Sequence, residues 1–242
     1  MAGVRAASKP TRSTNSVPSY EIITERLASG AFSEFESKRI LRGIAGLATA
    51  FPDGSLDQSA AEAVDTATAL NYPVVLKAQS RQLLHKTEAG GVVLNIRSAD
   101  EVIQGWNKLQ DNIKAYRHDL ILDGVLVERM SSPGTEFIVG GRNDPDWGPV
   151  ALIGLGGIFS EALQDVRLIV PGLSQEAILW EIGKLKGSAL LKGFRGAAPP
   201  DLAALAGVVS MIGEVISRHP EIREIDLNPV VVHASGVSIL DA

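Results

Sequence analysis

Asp226-Leu227-Asn228-Pro229-Val230-Val231-Val232, returning through Ser235-Gly236 to Leu240-Asp241, is the stretch that decides the fold. Two apolar runs around a Ser-Gly pair spell a β-hairpin. Side chains alternate along a strand, so Asp226 and Asn228 project from one face about 7 Å apart, while Ile225 and Leu227 turn into a core. With Ser235-Gly236 as a two-residue turn, Asp241 pairs with Val230, on the face of Asn228 and diagonal to it. Two carboxylates and an amide oxygen then converge. That donor set suits Mg²⁺, which takes one or two protein carboxylates and fills its octahedron with water and phosphate oxygens. The other reading is a surface hairpin carrying ordinary charges.

At 242 residues, 45% apolar and 21% charged, the chain is long enough for one large domain or two lobes with real cores. A net charge of −5 and a pI near 5.4 turn away nucleic acid and anionic membranes as general partners. A polyanionic ligand therefore has to be met by a local cluster of cations. The absence of cysteine excludes disulfides, thiolate metal sites and a cysteine nucleophile, and it fits a reducing, cytoplasmic setting. No apolar run approaches the ~18 residues a membrane span needs. Residues 1–20 carry Arg5, Lys9 and Arg12, many Ser and Thr and no acid, and read as a disordered tail. A transit peptide shares that bias, but Pro10 and Pro18 interrupt any long amphipathic helix.

From Ser33 the pattern becomes periodic. Phe35, Ile40, Leu41, Ile44 and Leu47 line a helix that opens on a Ser33-x-x-Glu36 capping box and breaks at Pro52-Asp53-Gly54. A helix over about 59–70 leads into an apolar strand at 72–77. A polar loop follows at 80–91, then a strand at 92–96, a helix from Ser98 to about Tyr116 and a strand at 125–128. Mixed strands and helices in this order predict an α+β lobe. Beyond Met130 come a strand at 136–140, a turn at Asn143-Asp144-Pro145-Asp146 and a strand at 149–153. Glycines cluster at Gly154, Gly156 and Gly157, and helices at about 174–186 and 201–219 precede the hairpin. The expected organisation is a tail at 1–20, a smaller lobe with its leading helices at 21–127 and a larger lobe at 128–242, with a seam near 128–131.

The second chemical cluster is Leu84-His85-Lys86-Thr87-Glu88-Ala89-Gly90-Gly91. Gly90 and Gly91 let backbone amides approach an anion without a Cβ in the way, and Lys86 adds a point charge. The same pair also reads as a simple turn. Lys77 is the only charge in its apolar strand. A buried ammonium there needs a phosphate or carboxylate partner, unless the side chain snorkels from the strand end. A neutral imidazole at His85 can accept and pass on a phosphoryl group near pH 7, although a lone loop histidine is more often a hydrogen-bonding surface residue.

These residues, together with Ser33-Glu34-Phe35-Glu36-Ser37-Lys38, Val127-Glu128-Arg129-Met130, Gly134-Thr135-Glu136, Gly148-Pro149-Val150, Gly154-Leu155-Gly156-Gly157-Ile158-Phe159, Leu191-Lys192-Gly193-Phe194-Arg195-Gly196 and Asp226-Leu227-Asn228-Pro229, carry a family resemblance. From residue 30 to the end the chain resembles the ATP-grasp β subunit of NDP-forming acyl-CoA synthetases, and more distantly the β subunit of succinyl-CoA synthetase. The resemblance implies an α+β ATP-grasp fold, two lobes gripping ATP or ADP between them. Lys77 and Lys86 would contact phosphates, with Gly90 and Gly91 in the phosphate-handling loop. The backbone at Glu128, Arg129 and Met130 would form the adenine hinge, and Glu136 would lie near the nucleotide. Asp226, Asn228 and Asp241 match the Mg²⁺ ligands. His85 would carry a phosphoryl group between the nucleotide and a histidine of the α subunit, and Arg195 would steady that phosphate; an exposed arginine between glycines is its other reading.

The implied reaction is reversible: a carboxylic acid, CoA and ATP give acyl-CoA, ADP and phosphate through an acyl phosphate and a phosphohistidine. Positioning and charge neutralisation dominate phosphoryl transfer of this kind. No Gly-x-Gly-x-x-Gly run for CoA stands in this chain, so the CoA and acid sites are expected on an α subunit or on a further part of a longer polypeptide. Two departures from the family pattern stand out. Asp226 replaces the usual glutamate and is one methylene shorter, and the sequence ends one residue after Asp241, as in a fragment or a short subunit. Both keep open a non-catalytic module that binds nucleotide or a partner. A third reading is an ATP-grasp ligase that makes amide bonds, which the His-Lys-Thr loop disfavours.

Overall fold

The computed structural model describes residues 32–44, 46–83, 85–157, 165–193 and 198–242. The expected tail and Arg195 lie outside them. Helix α1, Glu34–Arg42, opens on the anticipated capping box: Ser33 Oγ accepts the Glu36 amide, and the Glu36 carboxylate accepts the Ser33 amide. It stops at Gly43, so Leu47 is reached through a turn rather than on the helix. Strand β1, Gly54–Asp57, occupies what the sequence offered as a break.

Helix α2 (Ala60–Leu70), strands β2 (Val74–Gln79) and β3 (Val92–Ile96), helix α3 (Ala99–Tyr116) and strand β4 (Gly124–Arg129) follow. The first sheet is antiparallel, in the order β1-β4-β2-β3. Strand alternation divides its two faces. Val74, Leu76, Ala78, Val125 and Val127 share a core with Ala63, Ala67, Val102, Leu109 and Ile113 of α2 and α3. Lys77, Gln79 and Glu128 point the other way, and Glu128 stands opposite Val75, one row from Lys77.

The second sheet holds β5 (Thr135–Asp144), β6 (Gly148–Leu155), β7 (Val166–Ile169), β8 (Glu224–Val232) and β9 (Val237–Ile239) in the order β7-β6-β5-β8-β9. Strands β5 and β6 outrun the predicted ones, and their turn falls at residues 145–147; β7 had no predicted counterpart. Helices α4 (Gln175–Ile182) and α5 (Leu202–Arg218) cover one face through Ile178, Ile182, Leu205, Val209 and Ile212, packed on Phe137, Val139, Ala151, Ile153 and Leu227. Leu41, Leu47, Ala50 and Phe51 join this second core, so the leading segment packs with the later sheet. Among the described residues no helix is long and apolar enough to cross a membrane.

Helix α5 lies so close to β5 that a Cβ on Gly141 would stand 2.6 Å from Ile216 Cγ1 and 2.8 Å from Ile212 Cγ2. Gly141→Ala therefore overpacks two branched side chains and is expected to destabilise the protein by about 1–3 kcal/mol. Calorimetry should show Tm falling about 2–4 °C per kcal/mol at this chain length.

The terminal hairpin is shifted from its expected register. Val230 faces Ile239, Val232 faces Val237, and the His233 amide bonds to the Gly236 carbonyl, so the turn centres on Ala234-Ser235 with Gly236 at φ +77°. Asp241 consequently lies opposite Asn228 rather than Val230, its carbonyl accepting the Asn228 amide at 3.3 Å. A slip of two residues preserves the face, so the convergence of Asp226, Asn228 and Asp241 survives. An irregularity between the Phe137–Val230 and Val139–Leu227 pairs adds one residue to β8 there.

Candidate functional site

The Lys77 face of the first sheet meets α1 and the end of the terminal hairpin. Glu34 and Lys38, one turn apart on α1, are both buried and pair at 2.7 Å. Glu34 Oε1 also takes Lys77 Nζ at 2.7 Å, and its Oε2 takes Lys86 Nζ at 2.9 Å and Gln79 Nε2 at 3.3 Å. Glu128 accepts Lys38 at 2.8 Å and Lys77 at 2.9 Å. The Leu240 carbonyl, at the end of the terminal hairpin, accepts both Lys38 and Lys77, at 2.7 and 2.5 Å. Asp241 completes the set, with Oδ2 2.8 Å and Oδ1 3.0 Å from Lys86 Nζ. Three ammonium groups meet three carboxylates, and the network ties α1, β2, β4, the His-Lys loop and the chain end together.

Burial alone would raise the Glu34 carboxyl, but the charges of Lys77, Lys38 and Lys86 overcome it and hold the group far below the ordinary carboxylate range. Lys77 is the mirror case: burial disfavours its charge, yet Glu34, Glu128 and Asp241 hold it above the ordinary lysine range. Its three protons find Glu34, Glu128 and Leu240, so its donors are already engaged. Lys38 is saturated in the same way.

A cleft of about 420 Å³ opens beside this network, lined by His85 and Lys86 from the loop, Gln79 and Ser80 from the end of β2, and Asp226, Asn228 and Asp241. His85 is exposed there. The loop is shaped by its own amides: Ala89 donates to the His85 carbonyl, Gly91 to that of Lys86, and Gly90 sits at φ +65° beneath Asn112, whose Nδ2 donates to the Gly90 carbonyl at 2.9 Å. Arg81 pins the loop's start to α1 through Glu36 at 2.5 Å. A more apolar groove of about 480 Å³ adjoins the cleft and shares Phe32 and Ala242 with it, but the titratable groups of the expected chemistry line the smaller space.

The structure thus brings His85, Lys86, Asp226, Asn228 and Asp241 to one space. Lys77 and Glu128 stand behind its wall. The amides of Arg129 and Met130 already donate to the carbonyls of Asp53 and Pro73 at 3.0 Å. Glu136 lies on the uncovered face of β5 beside Gly156, whose amide donates to the Glu136 carbonyl at 2.8 Å. Gly90 and Gly91 form the loop's closing turn, away from the cleft lining. Desolvation in the cleft, then the charges of Glu224 and Asp241, push the Asp226 carboxyl upward, and burial followed by Glu34 does the same for Asp241 against the pull of Lys86. Among the described residues no three His, Cys, Asp or Glu side chains gather as a metal cage. Two crowded carboxylates beside an amide oxygen remain a fitting donor set for a magnesium ion that keeps water and phosphate oxygens.

Glu34 and Lys38 carried no assigned role in the sequence reading, which followed the apolar stripe of α1. The signal was present: positions 34, 38 and 41 share one helix face, and Leu41 is a core residue, so the charged pair had to be buried with it.

Two antiparallel sheets with helices packed on them, and a cleft lined by His85, Lys86, Asp226, Asn228 and Asp241, make up the α+β architecture. A family model described as an ATP-grasp domain matches residues 24–242. The chain is 37% identical over 209 residues to the β subunit of the ADP-forming acetate–CoA ligase I of Pyrococcus furiosus, covering 86% of this chain and 89% of that one. It is 46% identical over 216 residues to a trans-feruloyl-CoA synthase of an unknown prokaryotic organism, covering 88% of this chain but 30% of the synthase. An acetyl-coenzyme A synthetase of Candidatus Korarchaeum cryptofilum, solved with coenzyme A and Ca-AMPCP, superposes with a TM-score of 0.85 at 33% identity, covering 91% of this chain and 96% of that one. The same synthetase has been solved with Mg-AMPPCP and a phosphohistidine segment pointing towards the nucleotide-binding site. The chain belongs to the ATP-grasp family and, within it, to the β subunits and β domains of the NDP-forming acyl-CoA synthetases.

Proposed function

We propose that this chain is the nucleotide half of an ADP-forming acyl-CoA synthetase, in which His85 carries the phosphoryl group. The observation that carries the reading is the cleft shared by an exposed histidine, a lysine and the Asp226–Asn228–Asp241 set. A ring nitrogen of neutral His85 attacks the γ-phosphorus of ATP. The bond from that phosphorus to the β,γ-bridging oxygen breaks, and ADP leaves with the electron pair. The phosphohistidine then passes its phosphoryl group to a histidine of a CoA-binding α subunit or domain. There the group goes on to a carboxylic acid, and the sulfur of CoA then attacks the acyl carbon of the resulting acyl phosphate, releasing acyl-CoA and phosphate. Lys86 offers its charge to the phosphates from the cleft wall. Asp226, Asn228 and Asp241 would hold Mg²⁺, which neutralises phosphate charge and fixes its geometry. The Glu128–Met130 backbone and Glu136 border the nucleotide, Gly90 and Gly91 shape the loop, and Arg195 steadies the transferred group. The enzyme would work in the cytoplasm with that partner. The Mg-AMPPCP complex of the Korarchaeum synthetase supports the cofactor assignment.

Incubation with Mg²⁺ and γ-labelled ATP, with and without an α subunit of a related synthetase, tests the reading. Acid-labile label is expected on residue 85 and absent in His85→Ala. No label under either condition, with ADP binding retained in calorimetry, would leave a nucleotide-binding module without phosphotransfer.

A further inference from the structure

We propose that Asp241 is an exchangeable counter-ion: it neutralises Lys86 while the cleft is free of nucleotide, and it is released to the divalent cation when a nucleotide phosphate takes over that lysine. This rests on the phosphate and cation roles proposed above.

The asymmetry of the network carries the inference. Lys38 and Lys77 each have two carboxylates and the Leu240 carbonyl for three protons, so neither can accept a phosphate without breaking a buried pair. Among the described residues Lys86 has two carboxylate partners, Glu34 and Asp241. Those two differ in what they can do. The side chain of Glu34 is 0% exposed and shared among three lysines, whereas that of Asp241 is 33% exposed and stands in the cleft wall. Asp241 is also the acid that lies opposite Asn228 and shares the cleft with Asp226. One carboxylate thus serves two cations that are not needed at the same time.

The charges require such an exchange. With Asp241 on Lys86 the three ammonium groups are balanced by three carboxylates, and a phosphate entering alone finds none of these three lysines unpaired. If Asp241 moves to a divalent ion as the phosphate moves to Lys86, each charge keeps a partner throughout. Nucleotide without the cation is then opposed by Asp241, and the pair enters together.

ADP titrations of the full chain by calorimetry, in EDTA and in Mg²⁺, test this with Asp241→Asn, Lys86→Gln and the double variant. Asp241→Asn is expected to bind Mg²⁺-free ADP at least about 5-fold more tightly than wild type and Mg-ADP at least about 10-fold more weakly. The gain in EDTA should vanish when Lys86 is already Gln. A gain that persists without Lys86 would mean only the removal of a nearby negative charge, and an unchanged or weakened EDTA affinity would likewise overturn the exchange. Wild type that binds ADP in neither condition would instead overturn the proposed function itself. Should Asp241→Asn fold poorly, the wild-type lysine Nζ resonances serve, with Lys86 assigned by its loss in Lys86→Arg. Mg-ADP should shift Lys86 and leave Lys38 and Lys77 in place, and a static Lys86 would refute the exchange.

Discussion

Replacing Glu34 with alanine is expected to destabilise the protein by about 3–5 kcal/mol, because it strands buried ammonium groups rather than removing one contact. Lys38 and Lys77 lose the carboxylate oxygen they share at 2.7 Å, and Lys86 loses its second partner. Denaturant unfolding should show the loss as a lower midpoint at unchanged slope, with Tm lower by roughly 6–20 °C at this chain length. Glu34→Gln, which keeps shape and hydrogen bonding, isolates the charge through its pH dependence. A carboxyl held below its ordinary value of 4.5 contributes fully above that pH, and its contribution drains away as pH falls toward the depressed folded-state value. The stability gap between wild type and Glu34→Gln should therefore be widest near neutrality and narrow steadily below about pH 4.5. A gap that stayed constant into acid would mean that ionisation of Glu34 does not set it.

The same network shows where sequence reading works and where it stops. Most of the strands were legible because they alternate or run apolar, as at Val92–Ile96 and Gly124–Arg129, whereas the order in which they pair was not. The convergence of Asp226, Asn228 and Asp241 was legible because a register error of two residues leaves every side chain on its face. A single-residue error would have turned Asp241 into the core. The hairpin turn itself was misplaced because Ser-Gly resembles a two-residue turn, while the chain uses Gly236 at positive φ just after Ala234-Ser235. Strand β1 was hidden by its length of four residues and by the Pro52-Asp53-Gly54 run whose glycine opens it. A lone lysine in an apolar strand asks for a phosphate or a carboxylate partner, and the sequence reading favoured a nucleotide phosphate for Lys77. That the partners are Glu34 and Glu128, 43 and 51 residues away, is a property of tertiary packing that no local pattern encodes.

His85→Ala should lower turnover with the partner present by a factor on the order of 10⁴ or more, since it removes the atom to which the phosphoryl group is bonded. Its effect on folding and nucleotide binding should be small. The side chain is exposed at the cleft mouth, and the loop is held by other means: the Arg81–Glu36 pair, Lys86 in its two carboxylates, and the backbone bonds of Ala89, Gly90 and Gly91. ADP affinity within about 3-fold of wild type and an unaltered Tm are therefore expected alongside the lost turnover. Lys86→Ala should behave in the opposite manner. It removes a charge from both the network and the cleft, so nucleotide affinity falls together with turnover. Comparing kcat and KM of the two variants separates the group that carries phosphate from the group that holds it. If His85→Ala instead kept substantial turnover, the phosphoryl group would have to travel by another route, and the exposed imidazole would be an ordinary surface histidine.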